Sequence, residues 1–149
     1  MRRVRSGSCI RGDVRAAIDF VAAEFQGVPL LVAGFSFGSW VGLRAGCSDP
    51  RVVELLGLGL PIGDTERRNF SYLEQCEKPK LLVSGEFDRF GPAATLRAMV
   101  EKFPSAVRAE TRVAMVPGGD HFFAGHLSEL DREISGWLVE RHPELAREG

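Results

Sequence analysis

The chain has 149 residues, a net charge of −1, and a composition that is 44% hydrophobic and 26% charged. That is about one domain's worth, enough to bury roughly two thirds of the unfolded surface, and it excludes collagen-like, disordered and disulfide-scaffold classes. The near-zero charge excludes a global pull toward nucleic acid or anionic membrane, and the longest apolar stretches, 28–35 and 55–62, fall far short of the roughly 18 residues of a membrane span.

The start is basic, with Arg2, Arg3, Arg5, Arg11 and Arg15. No apolar run follows, so it is not a secretory signal, and the arginines are too scattered for a dense nucleic-acid arm or a transit peptide. It reads as a solvated segment. Cys9, Cys47 and Cys76 lie far apart with no Cys-x-x-Cys pair; the odd count argues against a disulfide framework and for a reducing, cytoplasmic setting.

Val14, Ile18, Val21 and Phe25 recur at helical spacing, which predicts a helix over 13–25 with Asp13 as its N-cap and Gly27 to Pro29 as its end. The apolar run 29–34 predicts a strand buried on both faces of a parallel sheet, and similar runs at 52–60, 80–85 and 111–116 make four strands. Helices are expected over 36–47, more weakly over 70–76, and over 92–103, where Leu96, Met99, Val100 and Phe103 share a face and Pro92 takes the first helical position. A last helix over 126–141 aligns Leu127, Leu130, Ile134, Trp137 and Leu138 before His142-Pro143 stops it. Alternating helices and strands imply right-handed crossovers and a mostly parallel sheet: a single three-layer α/β/α domain over 1–149.

The densest chemical signal is Gly34-Phe35-Ser36-Phe37-Gly38, a serine between glycines where a buried strand meets a helix. That is the setting of a nucleophile elbow, in which the turn is tight and side chains at the glycines would clash with strand and helix; Gly42 extends the small face. An ordinary glycine-rich corner has the same look. A nucleophilic serine needs a base, and the base an orienting carboxylate. Gly85-Glu86-Phe87-Asp88 follows the third strand and Pro117-Gly118-Gly119-Asp120-His121 the fourth, at the strand ends where open parallel sheets build their sites. The order Ser36, Asp88, His121 is that of α/β-hydrolases and not that of chymotrypsin or subtilisin.

Several alternatives stand beside this reading. Asp88 also suits a loop or cap role before Gly91-Pro92, and Glu86 is an alternative acid. Asp120, next to His121, reads as a turn residue. A metal site of His121, His126 and Asp120 matches no strong zinc pattern, and His142 reads as solvent-exposed. The run from Gly57 to Gly63 departs from Gly-x-Gly-x-x-Gly and is interrupted by Pro61, so it reads as a strand end lining the pocket. Phe35, Phe37, Phe122 and Phe123 gather near the proposed site, as an apolar pocket or simply as core.

On its three motifs the chain resembles the α/β-hydrolase superfamily, nearest the small lidless bacterial hydrolases of the dienelactone-hydrolase and carboxylesterase group. The resemblance implies Ser36 as nucleophile, His121 as general base and then acid, Asp88 as orienter, and the Phe37 backbone N–H as an oxyanion donor. It implies a pocket of Phe35, Leu60, Pro61, Phe122 and Phe123, no metal or cofactor, and a small carboxylic ester or thioester as substrate. The 61–80 connection is too short for a cap domain. The family's second oxyanion donor lies upstream on a segment of on the order of 50 to 60 residues, which the 33 residues before Gly34 cannot hold. The expectation is therefore the C-terminal part of the fold, with residues 1–7 as a loop, and dimerisation or aggregation through the uncovered edge of strand 29–34. A non-catalytic or weakly active interaction module is the competing reading, and a nucleotide-binding module the third.

Overall fold

The computed structural model describes residues 7–63 and 68–147. Helix α1 spans Gly7–Glu24 and begins well before Asp13, which lies inside it instead of capping it; the loop expected over 1–7 falls outside the described residues up to Gly7. Ile18 is buried, but Val21 and Phe25, expected on the same apolar stripe, are exposed, so only one edge of α1 meets the core. Gly27, at φ 78°, turns the chain into strand β1, Leu30–Phe35.

Four parallel strands follow in simple order: β1, then β2 (Val52–Leu58), β3 (Lys80–Gly85) and β4 (Thr111–Val116). Strand β1 pairs on one side only among the described residues, and one of its two faces is uncovered, so it is not buried on both faces as a continuous apolar run suggests. Leu30, Val32 and Gly34 are half-buried while Leu31, Ala33 and Phe35 are exposed. The central strand β3 is buried at every position. Strand β2 ends two residues earlier than expected, because Gly59 at φ 54° leaves the extended region.

Helix α2, Phe37–Ser48, crosses from β1 to β2 and lies close on the sheet: a Cβ on Gly46 would meet Leu55 Cδ2 at 2.6 Å, whereas one on Gly42 meets Val32 at an ordinary 3.4 Å. Its C-terminal carbonyls are capped by Lys78 Nζ, which donates to the carbonyls of Gly46 (2.7 Å) and Asp49 (2.5 Å). The weak 70–76 pattern is a 3-10 turn, Ser71–Gln75. Helix α3 is Ala93–Glu101, with Pro92 one position outside it, and α4, Ser105–Ala109, is too short to have shown a period. Helix α5 is Leu127–Arg141, followed by a 3-10 turn, Pro143–Arg147.

Strand alternation divides the core into two layers. Leu55 and Leu82 pack with Ile18, Leu43, Leu96 and Phe103, under α1 to α4. Leu56, Leu81, Val83 and Val116 pack with Trp137 and Phe123, under α5. These are the helix layers of the expected three-layer α/β/α architecture. Glu54, buried on the α5 side of β2, binds Arg141 Nε and His142 Nε2, the latter at 2.8 Å, and so ties the end of α5 to the sheet. His142 is thus half-buried and paired, not free in solvent. Among the described residues no helix is long and apolar enough to cross a membrane.

Candidate active site

Ser36 stands between β1 and α2 at φ 50°, ψ −118°, a left-handed conformation that costs a non-glycine residue on the order of 1 to 3 kcal/mol. The surroundings hold it there. Its N–H donates to the Leu58 carbonyl (2.9 Å), and its own carbonyl accepts from Ser39 N–H (3.0 Å) and Ser39 Oγ (2.6 Å). Gly34 is needed for space, since a Cβ there would run into the backbone of Gly38 and Ser39. Gly38 is not: a Cβ at that position meets nothing within 4 Å, contrary to the steric role expected of both glycines.

Asp88 sits just past β3, with its side chain fully enclosed. Its Oδ1 accepts from the N–H of Phe90 (2.8 Å) and of Gly91 (3.0 Å), which fixes the carboxylate; its Oδ2 lies 2.9 Å from His121 Nδ1. An ionised carboxylate only accepts, so Nδ1 carries the proton and Nε2 is left with a lone pair. That Nε2 lies 2.9 Å from Ser36 Oγ. Three residues spread over 85 positions thus form one hydrogen-bonded line at the C-terminal ends of β1, β3 and β4.

The other acidic residues have different work. Glu86 Oε2 accepts from Gly118 N–H (2.8 Å) and joins the loop bearing Asp88 to the loop bearing His121. Asp120 Oδ1 accepts from the N–H of Phe122 (2.9 Å) and Ala124 (3.0 Å), a turn role as its sequence position suggests. His126 starts α5, 3.9 Å from Glu129, and among the described residues no group of three or more His, Cys, Asp or Glu side chains is placed to hold a metal ion.

His121 is enclosed by aromatic rings: Phe90 at 4.8 Å, Phe35 at 5.2 Å, and Phe122 edge-on at 5.2 Å. Phe35 and Phe122 are exposed beside His121, at 41% and 66%. Leu60 and Phe123, at 1% and 2%, belong to the two cores instead. Pro61 is buried too, so these three do not form open pocket walls. Leu60 supports the acid loop, where a Cβ on Gly91 would run into its carbonyl, and Phe123 turns inward at φ 54°. Phe37 lies beside Trp40 (5.8 Å) with Arg68 over its ring.

Two residues at the site escaped the sequence reading. Phe90 was legible only as a neighbour of Asp88. Gly59 lies in the glycine run read as a strand end, and a Cβ there would meet the Phe35 ring at 3.2 Å and the His121 ring at 3.3 Å. Its bareness makes room for the histidine.

The alpha/beta hydrolase domain family matches residues 8–134, which include Ser36, Asp88 and His121. The chain belongs to this family. A crystal structure of a protein of unknown function from Agrobacterium tumefaciens superposes with a TM-score of 0.82 at 24% identity, over 97% of this chain and 65% of that one. A serine hydrolase without a lid from Xanthomonas campestris superposes at 0.73 with 25% identity, over 91% of this chain and 60% of that one. An uncharacterized protein of Rickettsia prowazekii is 24% identical over 131 residues, 85% of this chain. The alpha/beta hydrolase chain spans about half the length of that curated relative, 54%.

Proposed function

We propose that this alpha/beta hydrolase is a serine hydrolase that cleaves a small carboxylic ester or thioester through an acyl-enzyme on Ser36. The observation that carries the reading is the pair of 2.9 Å contacts, Asp88 to His121 and His121 to Ser36. As the Ser36 oxygen attacks the substrate carbonyl, His121 Nε2 takes the hydroxyl proton, and the enclosed Asp88 carboxylate stabilises the imidazolium that forms. The carbonyl oxygen becomes an oxyanion, for which the Phe37 N–H, at the positive start of α2, is the donor. Collapse of the tetrahedral species breaks the bond to the alcohol or thiol, which leaves with the proton from His121. Water then attacks the acyl group with His121 again as base, releasing the acid and restoring Ser36.

The surface around the serine supports that substrate class. Phe35 and Phe122 are exposed aromatic flanks, which favour a small ester with some apolar surface over a highly charged one. For partners, we propose a second copy of the chain along the β1 edge, and a cytoplasmic location in keeping with the cysteine pattern.

The test is labelling of residues 1–149 with a fluorophosphonate probe, read by intact mass, with Ser36→Ala as the blank. Adduct on the wild type alone is the expected result. Folded wild type that stays unlabelled would overturn the hydrolase reading in favour of a non-catalytic module.

A further inference from the structure

About 16 Å from Ser36 along α2, taking 1.5 Å per residue, a cavity of about 580 Å³ opens between α1, α2 and the Ser71–Gln75 turn. Its lining includes Arg15, Arg44, Cys47, Tyr72 and Cys76. Cys47 lies in the last turn of α2 and Cys76 just after the 3-10 turn. Both are free, and the fold brings these distant thiols to the wall of one cavity. The serine chemistry uses neither.

The surroundings are cationic. Lys80, with no exposed surface at all, donates from Nζ to the Cys76 carbonyl (2.6 Å) and Thr111 Oγ1 (3.3 Å). Lys78 reaches across to the carbonyls of Gly46 and Asp49, beside Cys47, and Arg44 lies over the Tyr72 ring at 5.6 Å. Interaction with Cys47 lowers the Cys76 thiol below its ordinary range, against burial, with help from the Lys78 backbone N–H and the charges of Lys80 and Lys78. The same interaction, with burial, pushes Cys47 up. One sulfur is therefore set to be a thiolate nucleophile and the other a thiol that retains its proton.

We propose that Cys47 and Cys76 are a reversible dithiol–disulfide pair, oxidised by a small hydroperoxide that enters the cavity between α1, α2 and the Ser71–Gln75 turn. The Cys76 thiolate attacks one peroxide oxygen; an S–O bond forms, the O–O bond breaks, and hydroxide leaves to be protonated to water. Cys47 then attacks the Cys76 sulfenic acid. An S–S bond forms, the S–O bond breaks, and the second oxygen leaves as water with the Cys47 proton. Two thiols and one hydrogen peroxide give one disulfide and two waters, and the peroxide is the only oxidant required. The bond joins the end of α2 to the entry of β3 and closes a loop that contains β2.

This inference is independent of the serine hydrolase reading, and its experiment does not measure hydrolysis. The full chain is treated with hydrogen peroxide, remaining thiols are blocked with N-ethylmaleimide, and intact mass and peptide mapping follow. The expected result is a chain 2 Da lighter that carries one N-ethylmaleimide, on Cys9, a Cys47–Cys76 linked peptide, reversal by dithiothreitol, and an unfolding midpoint raised on the order of 5 to 10 °C. In Cys47→Ser, oxidation should stop at a sulfenic acid on Cys76 that dimedone traps. Unlinked gains of 16 or 32 Da in the wild type, linkage through Cys9, or thiols that remain fully blockable would each overturn the proposal. Because the wild-type map decides the matter, a variant that fails to fold leaves the test intact.

Discussion

At the scale of single residues, the site depends on which atom of each side chain is already occupied. Asp88 is held by two backbone amides on Oδ1, so only Oδ2 faces His121, and this geometry selects the histidine tautomer that can accept the Ser36 proton. Asp88→Asn keeps the shape but places an amide where the acceptor was. The expected outcome is a loss of about 10⁴-fold in kcat on a small ester, with an unfolding midpoint within a few degrees of wild type. Activity within tenfold of wild type would remove Asp88 from the mechanism and return Glu86 as the acid. The Ser-to-Asp-to-His order was legible in the sequence. So was the preference for Asp88 over Glu86, two positions earlier; what the sequence does not carry is where the loop points each carboxylate, Asp88 toward His121 and Glu86 toward Gly118.

At the scale of elements, the apolar periods located every strand and the long helices, but their ends were decided by single backbone torsions. Gly59 stops β2 and Gly27 follows α1, each at positive φ. The docking of α5 rests on apolar packing and on the Glu54 cluster, which no local pattern shows because its members are 87 and 88 positions apart. Against the burial that would raise it, the hydrogen bonds of His142 and Arg141 hold the Glu54 carboxyl below its ordinary 4.5. The bond to Glu54 raises His142 above its ordinary 6.5. A lowered acid contributes stability that is present above its unfolded value and is lost as pH falls through the folded one. A raised histidine contributes below its unfolded value and loses its share as pH rises through the folded one. The cluster is therefore fullest from about pH 4.5 to about pH 6.5. Urea midpoints of wild type and Glu54→Gln should differ most in that window and converge on both sides, less completely on the alkaline side because Arg141 stays charged. A difference independent of pH would show that Glu54 acts by packing alone.

At the scale of the whole molecule, the two sides of the sheet are unequally covered. Four helices lie over one face, while α5 alone lies over the other, leaving Leu31, Phe35 and Val53 exposed near the β1 edge. Beside that edge an apolar groove of about 250 Å³ runs between α1 and β1, lined by Val14, Ile18, Val21 and Leu31 among others. An edge strand with free backbone groups and apolar flanks is a template for pairing. Light scattering of the 149-residue chain should report a dimer or larger species. Leu31→Lys, which adds a charge to the edge, should shift it toward monomer. A stable wild-type monomer at tens of micromolar would dismiss the pairing.

The sequence by itself determined the alternation of helix and strand, the parallel sheet and the three candidate triad positions. Each of these rests on short-range chemistry: apolar period, turn residues, and reactive side chains at strand ends. Only the tertiary structure decided that Leu60 and Phe123 are core, that Gly59 clears space for His121, and that Cys47 and Cys76 line one cavity. Those are contacts between segments tens of residues apart. The linear order of residues carries no distance between such segments until packing sets it.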